Sequence, residues 1–435
     1  MRGAADLQCY RHIDQGRKPR VTISAENIQR WLIMMVLSLS GGTIFFLPHL
    51  QEVYYKPLAD ALSLDNTQVG SLVSIFGVTA MLSYLPGGWL ADRVSPRILL
   101  TSSLLLTGCT GLYFATFPSY MISLAIHALW GVTITLLFWG SMIRVTRNWA
   151  SANEQGKAFG VLETGRGLTE VLVSMAVLAV FGVLGSNTFA LSMVIVQFSV
   201  LLIMFGVLAW FTIEDGADGK NSSTDTQKPR LGDIISVLRM PVVWLIAVVV
   251  MAGYCAYWGT YRFTSYSSDV FAMSVTMAAV ISVGKMWLKP PAALVAGVVS
   301  DKIGIVKSVA ILFAFLITTF AVFAFMPGVP SLLPLMIVNV ALTSLAVFAL
   351  RGIYFALLEE GGIPMAVTGT AAGVVSTVGF TPDIFMPLMG GMLLDNFPGP
   401  AGYRLFFLSV AGICVIGLIA TLMIRRLTDP RCARS

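Results

Sequence analysis

Residues 88–97 read GWLADRVSPR, and residues 297–307 read GVVSDKIGIVK. Gly88 and Gly297 each stand four residues before an aspartate, Asp92 or Asp301, that is followed at once by a base, Arg93 or Lys302. The second turn repeats the first 209 residues later, which points to an internal duplication. A second pair of stretches agrees with it: GVLETGRGLTE from Gly160 and GVVSTVGFTPD from Gly373 align Thr164 with Thr377 and Glu170 with Asp383. The chain reads as two copies of one unit.

What flanks these turns is apolar. Of 435 residues, 56% are hydrophobic and only 11% charged, against about a quarter charged in a soluble domain. Stretches long enough to cross about 30 Å of hydrocarbon as helices recur along the whole chain, so the sequence predicts an all-α integral membrane protein. Divided at Pro, Gly and charge, it gives about twelve spans near 31–55, 67–90, 97–117, 119–143, 157–184, 188–212, 241–266, 275–300, 306–326, 331–357, 367–394 and 402–426. The predicted organisation is a polar N-terminal segment (1–30), a six-helix bundle (31–212), a polar linker (213–240), a second six-helix bundle (241–426) and a short tail (427–435). The first thirty residues lack a small-residue cleavage site before the first span, so that span is expected to be retained.

Charge gives the orientation. Basic residues such as Arg93, Arg97, Arg144, Arg147, Lys228, Arg230, Lys302, Lys307 and Arg425 gather at the termini and at one end of the spans, whereas Lys56, Arg262 and Arg404 are expected near the other end. By the positive-inside rule, both termini and the linker are cytoplasmic, and the compact loops suggest a bacterial inner membrane. The formal net charge of +6 is accounted for by this topology, and no nucleic-acid partner is expected. Five cysteines without a CxxC pair predict neither disulfides nor a metal site. No HExxH, GxSxG or Walker A pattern occurs, so the chain is not expected to be an enzyme or to need a cofactor. Nothing in it demands more than a monomer.

At this point the chain resembles the major facilitator superfamily, whose Gly-x-x-x-Asp-Arg/Lys signature follows spans two and eight. The resemblance implies twelve helices in two pseudo-symmetric six-helix bundles that rock about a central site. In that family the signature latches one access state, which would make Gly88, Asp92, Arg93, Arg97, Gly297, Asp301 and Lys302 gating residues. The physical logic is visible in the residues. Glycine permits close helix approach, and an aspartate at a helix end can face the positive N-terminus of a neighbouring helix while pairing with the base beside it. Ser95 and Pro96 depart from the usual signature, and Gly304 keeps it.

Four cations are left inside spans: Arg166, Lys285, Lys289 and Arg351. The acids tallied against them are Glu163, Glu170 and Asp383. At 1.5 Å per residue, Glu170 comes near the bilayer midplane. Spacings of three and four put Glu163, Arg166 and Glu170 on one helix face, and Lys285 and Lys289 on another. Pro290 and Pro291 interrupt the eighth span beside Lys289, as discontinuous helices do at transporter sites. Charge at such depth is costly unless it meets a partner or a cavity. The residues either form fixed ion bridges or exchange partners with a substrate and a proton. His49, after Pro48, and Tyr257 join the candidate binding set. His127 and the aromatics Trp130, Trp139, Tyr254, Trp258 and Trp287 read first as packing. Glu359 and Glu360 read as solvated or as partners of Arg144 or Arg147.

Within the superfamily, DRVSPR at 92–97 and GTAAG at 369–373 look like the organophosphate and phosphate antiporters and their sugar-acid relatives. That resemblance places Pro48 or His49, and Tyr257, where those carriers have arginines in spans one and seven, and it places Arg166 where they have a functional histidine. The expected function is alternating-access secondary transport of a small organic anion or zwitterion. Arg166, Lys285, Lys289, Arg351, Tyr257 and His49 would bind it, and Glu163, Glu170 or Asp383 would carry a coupling proton. The alternatives are a proton-coupled exporter of amphipathic or cationic compounds and a ligand receptor without transport.

Overall fold

A computed structural model describes residues 25–149, 155–213, 236–363 and 368–428. The terminal segments and nearly all of the predicted linker lie outside the described residues. Among the described residues, ten helical stretches are long and apolar enough to cross a membrane, from Asn66–Tyr84 through Pro400–Thr428. They correspond to the predicted spans except the first and the eighth, and these two are interrupted.

The first span runs as Ala25–Thr43, unwinds, and resumes as Gln51–Leu62. Pro48 falls in the break, where a residue without an N–H costs least. The eighth span runs as Val275–Met286 and Lys289–Ile303, turning at Trp287 and Leu288. Pro290 and Pro291 then occupy the first turn of the second piece, where their missing N–H groups are unpaired in any helix. The eleventh span is also in two pieces, Thr368–Gly379 and Pro382–Asn396. The fourth passes through a π-helical stretch, Thr133–Trp139, between Tyr120–Val132 and Gly140–Trp149. The fifth, Gln155–Val183, and the seventh, Pro241–Gly259 continued to Asp269, bring candidate residues into the middle of the molecule.

Each half has its own core. Trp130, Phe138, Phe181 and Phe198 are buried in the first. In the second, Phe263, Phe320, Phe323 and Phe407 form a ring cluster with centroids 4.8–6.3 Å apart. The outer surface is apolar as well, with Leu82, Met121, Phe211 and Leu294 largely exposed. Such a surface is unfavourable in water and suited to lipid.

The backbones of the two halves approach most closely at one end. A Cβ on Gly70 of span 2 would stand 2.3 Å from the Pro387 carbonyl of span 11, and one on Gly391 would stand 2.2 Å from the Asn66 carbonyl. Only glycine allows backbones this close. At the other end, around Asp92 and Asp301, a Cβ on Gly88 or Gly297 would meet nothing within 4 Å. The close approach expected of these two signature glycines is therefore not made in this state. The molecule is open toward the basic end and closed at the opposite end, the one that the pattern of basic residues predicts to be outer.

Candidate substrate cavity

Arg166 is on span 5, one turn from Glu163, and the i to i+3 spacing yields an ion pair with Nη1 2.5 Å from Oε1. The guanidinium carbon sits 5.3 Å from the centre of the Trp139 ring, contributed by the π-helical stretch of span 4. Glu163 is largely exposed, whereas Arg166 is mostly covered and its Nε is buried without a hydrogen-bond partner. That unmet donor is unfavourable in an empty site. Glu170, on the same face, does not join the pair. It accepts from Lys289 Nζ across the two halves at 3.1 Å, and both groups are partly exposed.

The turn at Trp287 and Leu288 sends Lys285 and Lys289 to different partners, although their spacing in an unbroken helix would have aligned them. Lys285 is 3% exposed. Its ammonium lies 2.9 Å from Glu52 Oε1 and donates to the Thr260 carbonyl and hydroxyl at 3.0 and 3.1 Å. All three of its protons are thereby used, and in this state Lys285 faces no solvent. Glu52, absent from the tally of acids made on the sequence, is the carboxylate that balances it.

Arg351, in span 10, has a different environment. Its guanidinium carbon stands 3.9 Å from the Tyr257 ring centre and 5.5 Å from that of Tyr254. It forms no ion pair among the described residues. Two tyrosine faces thus hold a cation that has no fixed carboxylate. Asp383, at the start of the second piece of span 11, accepts from Trp258 Nε1 at 2.9 Å and lies in the field of His49 and Arg351. The His49 Nδ1 is 3.0 Å from the Phe45 carbonyl, and its ring stands among Phe76, Trp258 and Tyr261 at centroid distances of 5.3–6.1 Å. Phe45 in turn contacts Trp139, which links His49 to the Arg166 side. Tyr257 feels Glu52, Arg351 and Glu170 together. Candidates named from both halves therefore share one neighbourhood, with Arg166 on one wall and Arg351 on the other.

The signature loops are disengaged. Asp92 and Asp301 are exposed and form no ion pair among the described residues. Arg93 lies over Trp89 at 4.2 Å, and Arg97 lies over Trp210 and donates to its carbonyl at 2.6 Å. The pairing of Asp92 with its neighbouring bases is not made in this state. Glu360 accepts from the Val306 N–H at 3.0 Å, capping the span 9 helix. Arg144 donates to the Ala91 and Val94 carbonyls at the end of span 2. Each serves its own half, and a pair between them is absent.

At the outer end, residues not singled out on the sequence hold the halves together. Asp395 Oδ1 accepts from the Asn66 backbone and side chain at 3.1 and 2.7 Å, and Oδ2 accepts from the Thr67 backbone and hydroxyl at 2.7 and 2.5 Å. Tyr55 donates to Asn66 at 2.7 Å. Arg262, expected at the outer surface, is instead 4% exposed. It stacks on Tyr55 at 4.7 Å and donates to the Pro387 carbonyl at 3.2 Å. The sequence signal available for Arg262 was its place inside the continuous apolar stretch Pro241–Asp269. Asp395 carried no signal, since an acid at a helix end reads as solvated.

The model of the Major Facilitator Superfamily matches residues 30–382. Inner membrane protein YqcE of Escherichia coli is 28% identical over 397 residues, covering 90% of this chain and 93% of that protein. A probable galactarate/D-glucarate transporter, GudP of Bacillus subtilis, is 26% identical over 152 residues, 33% of each chain. Among solved structures, a bacterial homologue of the human lysosomal transporter Spinster, in an inward-facing and unoccupied conformation, superposes with a TM-score of 0.76 at 14% identity, covering 94% of this chain and 98% of that one. With its apolar helices and two cores, the chain belongs to the Major Facilitator Superfamily and is a multi-pass membrane transporter, not an enzyme.

Proposed function

We propose that this transporter carries a small organic anion or zwitterion by alternating access, coupled to protons, in a bacterial inner membrane with its basic end and both termini cytoplasmic. The observation that carries the reading is Arg351. A guanidinium held on two tyrosine faces with no ion pair among the described residues offers its planar donors to an incoming carboxylate or phosphate. Arg166 supports it from the other half, because its buried Nε lacks a partner. Lys289 adds a third cation that can trade Glu170 for substrate, and His49 and Tyr257 supply polar edges between the walls. The local similarity to a probable galactarate/D-glucarate transporter favours a sugar acid as the first compound to try.

The orientation follows from the basic loops, and the inner-membrane description of the YqcE relative supports the choice of membrane. In this orientation the cavity opens to the cytoplasm. The test is uptake of radiolabelled D-glucarate and other sugar acids into proteoliposomes under an imposed inward proton gradient. Uptake that collapses with the gradient and with Arg351→Ala supports the reading, whereas gradient-driven extrusion of cationic amphiphiles that is indifferent to Arg351 contradicts it.

A further inference from the structure

Glu52 lies on the piece of span 1 that follows the break, 8% exposed, and no other carboxylate in the described residues bonds Lys285. Its position is fixed from the second half. Thr264 and Ser282 donate to the Glu52 carbonyl at 2.7 and 3.0 Å, while Thr260 holds the Lys285 ammonium from span 7. The pair therefore joins spans 1, 7 and 8 across the two halves on the closed side of the cavity. Opening the outer end pulls span 1 away from spans 7 and 8 and must break it. A broken buried ion pair leaves two uncompensated charges, a severe cost, and the simplest relief is a proton on the carboxylate.

We infer that Glu52 is the carboxylate that carries the coupling proton and that its protonation releases Lys285 when the outer end opens. The inference rests on the transport reading above and deepens it. In the step, Glu52 Oε1 takes a proton from water on the outer side, the ion pair with Lys285 is lost, and the ammonium keeps its charge. On return the proton leaves to the cytoplasmic cavity and the pair reforms. Glu52 also borders a small cavity, lined with it by His49, Tyr54 and Ser174.

The other groups near Glu52 are few. Span 8 presents Lys285; span 7 presents Tyr257, Tyr261 and Arg262, and, beyond them, Asp269, which is occupied by the Tyr403 hydroxyl at 2.6 Å. Span 1 adds His49, Tyr54 and Tyr55, and span 5 adds Glu170. Span 6 has no titratable residue and span 2 only Tyr84. His49 and Glu170 are the controls.

The experiment uses the full chain in liposomes, cysteine-free apart from nitroxide labels at the exposed Ser63 and Asn396, which flank the outer end on opposite halves. Pulsed dipolar spectroscopy gives the distance distribution at pH 8 and pH 5 with no substrate added. The wild type is expected to show the short distance at pH 8 and a long-distance population that grows as the pH is lowered to 5. Glu52→Gln should show the long distance at both pH values, Glu52→Asp should respond as the wild type does, and His49→Asn and Glu170→Gln should keep the response. If Glu52→Gln does not fold, Lys285→Met serves, and it should lose the response. A wild type indifferent to pH, a Glu52→Gln or Lys285→Met that follows the wild type, or a response abolished by His49→Asn or Glu170→Gln would each overturn the inference. Because no substrate is present, failure of the anion reading leaves this measurement intact.

Discussion

Asp395, at the end of span 11 in the second half, accepts the backbone N–H groups of Asn66 and Thr67, the first residues of span 2 in the first half. Those N–H groups are among the four that a helix cannot satisfy itself, and they carry the positive end of its dipole. Asp92 is the counterpart. It ends span 2 at the opposite face, exposed and unpaired with any base among the described residues. Each of the two gate helices thus ends in an aspartate, and in this state only the outer one is engaged.

Replacing Asp395 with Ala removes four charge-assisted hydrogen bonds and leaves two backbone donors unmet. Contacts to charged groups contribute about 1.5–3 kcal/mol each when lost, partly offset by water at this depth. The outer end should open readily, raising the accessibility of an engineered cysteine at Asn66 to a membrane-impermeant maleimide by roughly tenfold. Unchanged labelling would show that the backbone contacts at Gly70 and Gly391 suffice alone.

Gly88 makes the reciprocal prediction. With open space around it now, Gly88→Leu should fold and keep the thermal stability of the wild type to within about 0.5 kcal/mol, as a surface change does. It should nevertheless abolish transport if closing the basic end requires the approach that glycine permits. A fully active Gly88→Leu would remove the signature from the gate.

The two cross-half ion pairs should behave differently. Lys289 and Glu170 are partly exposed, so Lys289→Ala should change stability by only about 0–1 kcal/mol. Lys285 and Glu52 are buried, and Lys285→Ala should cost roughly 3–5 kcal/mol with a matching fall in the detergent melting temperature. Equal effects would mean that burial does not separate them.

Much of the fold was legible. The repeated Gly-x-x-x-Asp turn and the span count follow from polarity and spacing, which membrane physics constrains tightly. The breaks were only half legible: Pro290 and Pro291 announced one beside Lys289, but the turn that redirects Lys285 toward Glu52 depends on tertiary contacts with Thr260 and Thr264. Arg166 and Arg351 stood out because cations deep in apolar spans are rare. Glu52, Arg262 and Asp395 did not, because each lies near a predicted span end, where charge is ordinary. Which carboxylate meets which cation is a property of helix packing, and helix periodicity within one span cannot show it.

Arg351→Lys tests why an arginine stands on the tyrosines. Lysine keeps the charge but loses the planar fork and most of the stacking, so affinity for an anionic ligand should fall by about tenfold, corresponding to roughly 1.4 kcal/mol. Isothermal titration of both proteins with the same ligand checks it, and equal affinities would reduce Arg351 to a point charge.

The most direct test of the central claim is a thermal-shift screen of the purified transporter against sugar acids, other organic acids, amino acids, phosphate esters and cationic drugs, with Arg351→Ala and Arg166→Ala alongside, since a ligand that binds the folded state raises its melting temperature. The account predicts an organic anion that stabilises the wild type and neither variant. Stabilisation by cationic amphiphiles alone, undiminished in both variants, would contradict it and make the buried arginines structural.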